Sequence, residues 1–194
     1  MAQSSQANDA LESRSILEGQ LRECYGRVVY SHKTHELCSD ILLGKLSSIK
    51  LWQIVLSAVT TCGFITVFFG YGTVGISVGV LASTVLLILN TYTKDYDLGE
   101  LAQKHKQAAI EIWHIREKYL SLITDLAMAE RPLAEITQER DTLLGDLNSV
   151  YSGAPSTNHK AYRKAQKALQ KDDDMTFTAT EIDAFLPDEL KRGQ

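Results

Sequence analysis

Charge is missing from the middle of this chain. Between Lys50 and Lys94 lie 43 residues with no Asp, Glu, Lys, Arg or His. The charged residues, 20 basic and 24 acidic, all fall outside that block. A soluble domain of 194 residues keeps charge on its exposed faces, so the block argues against a purely soluble reading. Cysteine is scarce: Cys24, Cys38 and Cys62 are odd in number, widely spaced and without a CxxC pair. That excludes a disulfide framework and reads as three reduced thiols. With 3 prolines and 12 glycines, collagen-like and proline-rich classes are excluded. Positive charge is not in excess. A net charge of −4 makes the chain a poor nucleic-acid binder, and no nucleic-acid partner is expected. Residues Met1 to Ala10 are polar and offer no apolar signal region, so insertion must be directed by the internal block itself. Catalytic patterns are also lacking: no GxxxxGK[ST], no GxGxxG between a strand and a helix, no HExxH. We expect no enzyme, no catalytic residue and no cofactor.

What is there begins with two apolar runs. Leu51 to Phe69 and Val74 to Tyr92 are each close to the 20 or so residues that cross a hydrocarbon core. Gly70-Tyr71-Gly72-Thr73 joins them as a tight turn, with tyrosine at headgroup level. The competing reading is a hairpin buried in a soluble core. Arg27, Lys33, Lys45 and Lys50 precede the first run; Lys94, Lys104 and Lys106 follow the second; the turn is uncharged. The positive-inside rule places both termini in the cytoplasm.

Small residues mark faces of the two spans. Gly75, Gly79 and Ser83 recur every four residues, as do Ser57 and Thr61. Such stripes let helices approach closely. They pack the hairpin against itself, or subunit against subunit around a pore; both readings stay open. Gln53 and Asn90, near the cytoplasmic ends, are interfacial or bridge the two spans. No charged residue marks an ion path.

The flanking segments read as helices. Ala10 to Lys50 carries a loose apolar face of Leu17, Leu21, Cys24 and Val28 and runs directly into the first span. After the second span, Asp95-Tyr96-Asp97 caps a long helix. Its seam is a heptad: Leu98, His105, Ile112, Tyr119 and Leu126 at a, with Leu101, Ala108, Ile115 and Leu122 at d. His105 is a packed or register-setting residue. Arg131-Pro132 ends this helix, and Pro132 to Val150 forms a second, antiparallel one. His159 to Lys171 is a basic helix ended by Asp172 to Asp174. Thr178-Ala179-Thr180-Glu181 opens a short last helix, with Ile182, Phe185, Leu186 and Leu190 as a docking face. His32, His35 and Cys38 at i, i+3 and i+6 could be read as metal ligands, but packing is the better account, and no metal is assigned.

The expected fold is therefore an all-α membrane protein: a two-helix transmembrane hairpin with a cytosolic helical bundle or coiled coil. We divide it into an N-terminal cytosolic helix (1–50), the hairpin (51–92), a cytosolic helical pair (93–151) and a C-terminal loop with short helices (152–194).

Particular stretches carry a family resemblance: NTYTKDYDLGELAQKHKQAA at Asn90 to Ala109, IREKYLSLITDL at Ile115 to Leu126, and GAPSTNHKAY at Gly153 to Tyr162. In this order around an uncharged hairpin, the chain resembles the SLATT proteins, two-transmembrane effectors that associate with SMODS nucleotidyltransferases and SLOG sensor domains. The resemblance implies a bacterial conflict-system effector that disturbs the inner membrane, as a pore-forming homo-oligomer, after second-messenger signalling. Its partners would be the lipid bilayer, further copies of itself and a nucleotidyltransferase or nucleotide sensor. The alternative is a membrane-anchored scaffold that recruits a cytosolic partner. A nucleotide receptor fused to an anchor is a third reading, without a phosphate-cradling loop to carry it.

Overall fold

The first proline of the chain is Pro132, and nothing before it forces a helix to stop. In a computed structural model, which describes residues 2–70, 72–187 and 191, helix α1 runs unbroken over Ala2–Ile65. At 1.5 Å per residue its length is roughly 95 Å. It continues through the Lys50–Leu51 boundary without a break, so the N-terminal helix and the first apolar span are one helix. A 3-10 turn, Thr66–Phe69, tightens its end. The chain reverses at Gly70, whose φ of 84° suits a residue without a Cβ. The reversal is shorter than the four residues expected, because Gly72 and Thr73 already belong to α2, Gly72–Asp95. Tyr71 lies outside the described residues.

Helix α3 spans Leu98–Met128. Its N-cap is Asp97, whose Oδ1 accepts from the Glu100 N–H at 2.8 Å. It ends on Ala129 in the left-handed region, with Arg131 donating to Asp125 at 2.8 Å and bridging to Glu139 at 2.9 Å across the corner. Pro132 is the N-cap of α4, Leu133–Gly153. Helix α5, His159–Lys171, opens on Asn158, whose side chain accepts from the Ala161 N–H at 2.9 Å. Helix α6, Ala179–Phe185, has the expected capping box between Thr178 and Glu181. The described residues contain no strand, and the chain is all-α.

The core lies where α1, α3 and α4 meet. Leu17, Leu21 and Val28 from α1 pack with the α3 stripe and with Ile136 and Leu143 from α4. Each such side chain, fully buried, is worth about 1.5–3 kcal/mol. The main partner of α3 is α1, not α4. Helix α4 buries only Ile136 and Leu143, too narrow a face to cover the α3 seam. Side chains also tie the N-terminal third of α1: Arg14 donates to the Leu126 carbonyl at 2.7 Å, and Arg140 of α4 donates to Gln20 at 2.6 Å.

Helix α5 sits on α1 through Ala161 and Ala165, both fully buried. Gln170 donates to the Tyr30 hydroxyl at 2.7 Å, and Lys33 pairs with Asp174 at 2.6 Å. Its basic residues, Lys160, Arg163, Lys164, Lys167 and Lys171, all face solvent. The docking face expected on α6 is not docked on this chain: Ile182 and Phe185 are exposed. Leu190 lies outside the described residues.

Candidate functional site in the transmembrane hairpin

The two spans turn their apolar side chains outward. In the most apolar window of α1 only 6% is buried within the protein, and in that of the second helix 17%. The core helix of a soluble protein would be mostly buried, so the competing soluble reading loses its support. Both helices are long and apolar enough to cross a membrane. Trp52 near the bundle end and Phe68 and Phe69 at the turn end are exposed, the placement of interfacial aromatics.

Inside the hairpin the backbones approach closely at one level. A Cβ on Gly63 would stand 2.7 Å from the Gly75 carbonyl oxygen and 3.2 Å from the Gly79 nitrogen. A Cβ on Gly75 would overlap Thr66 Oγ1 and the Gly63 carbonyl. Gly79 is looser, with the Thr60 carbonyl 3.6 Å from its ideal Cβ. Gly75 and Gly79 are therefore buried in the hairpin's own interface, together with Ala82. The other three members of the expected stripes are not. Ser57, Thr61 and Ser83 are exposed. Thr61 donates to the Ser57 carbonyl at 3.0 Å and Ser83 to the Val80 carbonyl at 2.9 Å, so these hydroxyls satisfy themselves within their own helices.

Gly63 and Thr66 were missed by periodicity, since Gly63 has no small neighbour four residues away on a stripe. The signal was the turn. Reflecting the first span about Gly70 brings Gly63 level with Gly75 and Gly79.

The end of the hairpin away from its turn carries a polar collar. Gln53 Nε2 donates to Asn90 Oδ1 at 2.8 Å and lies 3.4 Å from Thr93 Oγ1, so these residues bridge the spans. Lys45 donates to the Tyr92 hydroxyl at 2.7 Å, and Tyr92 stacks on Tyr96 with ring centroids 5.1 Å apart. A groove of about 700 Å³ runs beside the glycine contact, walled by Ile54, Ala58, Cys62 and Val78. Its lining carries no charged side chain, and its polar side chains are the Cys62 thiol and the Thr66 hydroxyl.

Below the collar, the α3 seam is filled by the same chain. Leu98, His105, Ala108, Ile112, Ile115, Tyr119, Leu122 and Leu126 are all buried, with Ala102 and Ala109 beside them. Leu101 is the departure from the heptad: it is 37% exposed, and Ala102 takes the inward position. A straight helix of 3.6 residues per turn drifts away from a seven-residue repeat, which rotates the first d position off the contact. Tyr119 is fully buried, and its hydroxyl meets no nitrogen or oxygen partner. Burial, with the Cys24 thiol alongside, pushes its pKa up to about 12.

His32, His35 and Cys38 are all buried on α1. They do not converge as ligands: among the described residues no group of three or more His, Cys, Asp and Glu is placed to hold a metal ion. Cys38 instead receives Asn158 Nδ2 at 3.5 Å, and burial raises its thiol pKa. His35 faces His105, Nδ1 to Nδ1, at 3.1 Å.

No curated protein and no solved structure matches the chain. A two-span hairpin on an all-α bundle is nevertheless what one family model describes. Over residues 17–181 the chain matches the SMODS and SLOG-associating 2TM effector domain family 4, and it belongs to that family.

Proposed function

We propose that this protein is the membrane effector of a bacterial antiphage system, one that oligomerises in the inner membrane and permeabilises it after second-messenger signalling. The observation that carries the reading is the outward-facing uncharged hairpin. Its own interface is closed by Gly63, Gly75 and Gly79, and it is continuous, through α1, with a bundle in the cytosol. The family description, a two-transmembrane effector, supports the same assignment. Both termini lie in the cytoplasm, for the lysines flanking the hairpin outnumber those in its turn. The chain works without a catalytic residue or cofactor. Its partners are the bilayer, further copies of itself and a nucleotidyltransferase or nucleotide sensor that supplies the signal. Nucleic acid is not among them.

Because α1 fills the α3 seam, copies must meet through other surfaces. Exposed hydroxyls remain on the lipid-facing side of the spans, Ser57 and Thr61 on the first and Ser77, Ser83 and Thr84 on the second. Lining a conducting path is what such hydroxyls do in an otherwise apolar assembly. The test is dye uptake and membrane potential in cells expressing the protein with its signalling partner. Wild type should depolarise them. The double substitution Ser57→Leu, Thr61→Leu should leave the protein in the membrane fraction and abolish dye uptake. Equal uptake by that variant removes this face from the pore. No depolarisation by wild type, alongside an active partner, overturns the effector reading and leaves the scaffold.

A further inference from the structure

The seam between α1 and α3 contains one buried polar contact. His35 and His105 are each 3% exposed, their Nδ1 atoms 3.1 Å apart and their ring centroids 5.1 Å apart. Two Nδ1 atoms at that distance share one proton. One ring donates Nδ1–H; the other accepts there and carries its own proton on Nε2. A first added proton enters on the donor's Nε2 and leaves the bond in place. A second must go to the acceptor's Nδ1, which removes the bond and sets two cations face to face.

The surroundings give these charges little relief. On α1, His32 lies on the same side and is itself 6% exposed, with its Nδ1 unpartnered. Glu36, also on α1, is 3.9 Å from His32 Nε2, but Lys33 at 3.6 Å and Lys106 of α3 at 3.3 Å already engage it. Arg116 of α3 adds a further positive charge toward His32. Asp174, from the segment after α5, is taken by Lys33 at 2.6 Å. Cys38 is a buried neutral thiol.

We propose that the His35–His105 pair is a proton-operated latch, clamping α1 to α3 when neutral and releasing them when both rings are protonated. Burial first, then His105 and His32, lower the His35 pKa from 6.5 to about 4. Burial lowers that of His105 as well. The separated helices therefore take up protons more readily than the clamped ones. The clamp is complete above the ordinary value of 6.5 and is lost as pH falls toward about 4. One such histidine lowers the clamped-to-open ratio about 20-fold between pH 7 and pH 5. His35 stands roughly 22 Å below Lys50 along the same rigid helix, so release reaches the hairpin directly. If the protein admits protons, acidification of the cytosol would promote its own opening; that link alone rests on the function proposed above.

The experiment measures the α1–α3 distance in the full chain, in lipid nanodiscs with EDTA present. Spin labels go on exposed positions, Asp40→Cys and Gln103→Cys, in a background of Cys24→Ser, Cys38→Ala and Cys62→Ser. At pH 7.5 a single short distance is expected. At pH 5 a second, longer population should appear, with the ratio down about 20-fold. The double substitution His35→Gln, His105→Gln, whose amides can still donate and accept to each other, removes both titrating rings and should lose most of the acid response. His114→Gln, at an exposed position of α3, should respond as the parent does. An unchanged distance at pH 5 in the parent overturns the proposal. So does opening of the double glutamine variant at pH 5 as far as the parent. Imidazole nitrogen NMR of the unsubstituted chain needs no variant. Protonation of both rings near pH 6.5 would equally overturn the latch. None of these readouts depends on membrane permeability, so the latch and the effector reading fail separately.

Discussion

At the scale of single residues, position within the packing decides what a glycine or a hydroxyl is worth. Gly63→Ala would place a methyl 2.7 Å from the Gly75 carbonyl oxygen. The backbone there cannot move aside, so the hairpin should splay at a cost of about 1–3 kcal/mol. Gly26→Ala meets nothing within 4 Å on an interior turn of α1. It should stabilise the chain by about 0.5–1 kcal/mol through helix propensity alone. Thermal melts of the two variants in the same detergent would give opposite signs. A Gly63→Ala melt as high as the parent's would mean that the spans do not touch at that level. Tyr119 is a second case. A buried hydroxyl without a nitrogen or oxygen partner costs the fold its desolvation, so Tyr119→Phe should be neutral or stabilising by about 1 kcal/mol. A loss of more than that would mean the Cys24 thiol is a stronger partner than sulfur usually is.

At the scale of elements, α1 and α3 carry the fold and α4 completes it. Ile112 is fully buried at the centre of the seam. Ile112→Asp puts an uncompensated charge there and should cost more than about 3 kcal/mol, seen as loss of the cooperative helical melt by circular dichroism. Glu111→Ala, one residue away and exposed, loses only a contact with Gln107 and should shift the melt little. The heptad from Leu98 to Leu126 was legible because seven-residue spacing of apolar side chains defines a helix face whatever covers it. The partner was not legible. The sequence places α4 next in the chain, but its buried pair, Ile136 and Leu143, is narrow. The loose face of Leu17, Leu21 and Val28 on α1 does the larger part. Leu101 shows the same limit in reverse: the repeat counts it in, and helix rotation turns it out.

At the scale of the whole molecule, one continuous helix, α1, joins the apolar hairpin to the helical bundle. Reporter fusions at residue 1 and residue 194 should both be cytoplasmic, since the basic flanks lie on one side of the hairpin. A periplasm-active reporter at either end would break the two-span topology. What the sequence by itself determined is the class of structure: an uncharged block of bilayer length, a glycine turn at its middle, caps at Asp97 and Thr178, and an apolar seam beyond. These follow from local rules of solvation, dihedral angle and capping, which read only near neighbours. The tertiary structure decided which faces meet. Gly75 and Gly79 close the hairpin while Ser57, Thr61 and Ser83 look outward. His35 and His105, 70 residues apart in the chain, come within hydrogen-bond distance, Nδ1 to Nδ1. Each residue along a helix turns the side chain by about 100°, so spacing names a face but not its neighbour. Only the register of the antiparallel helices, set by the turn at Gly70 and the bundle below it, brings particular faces together.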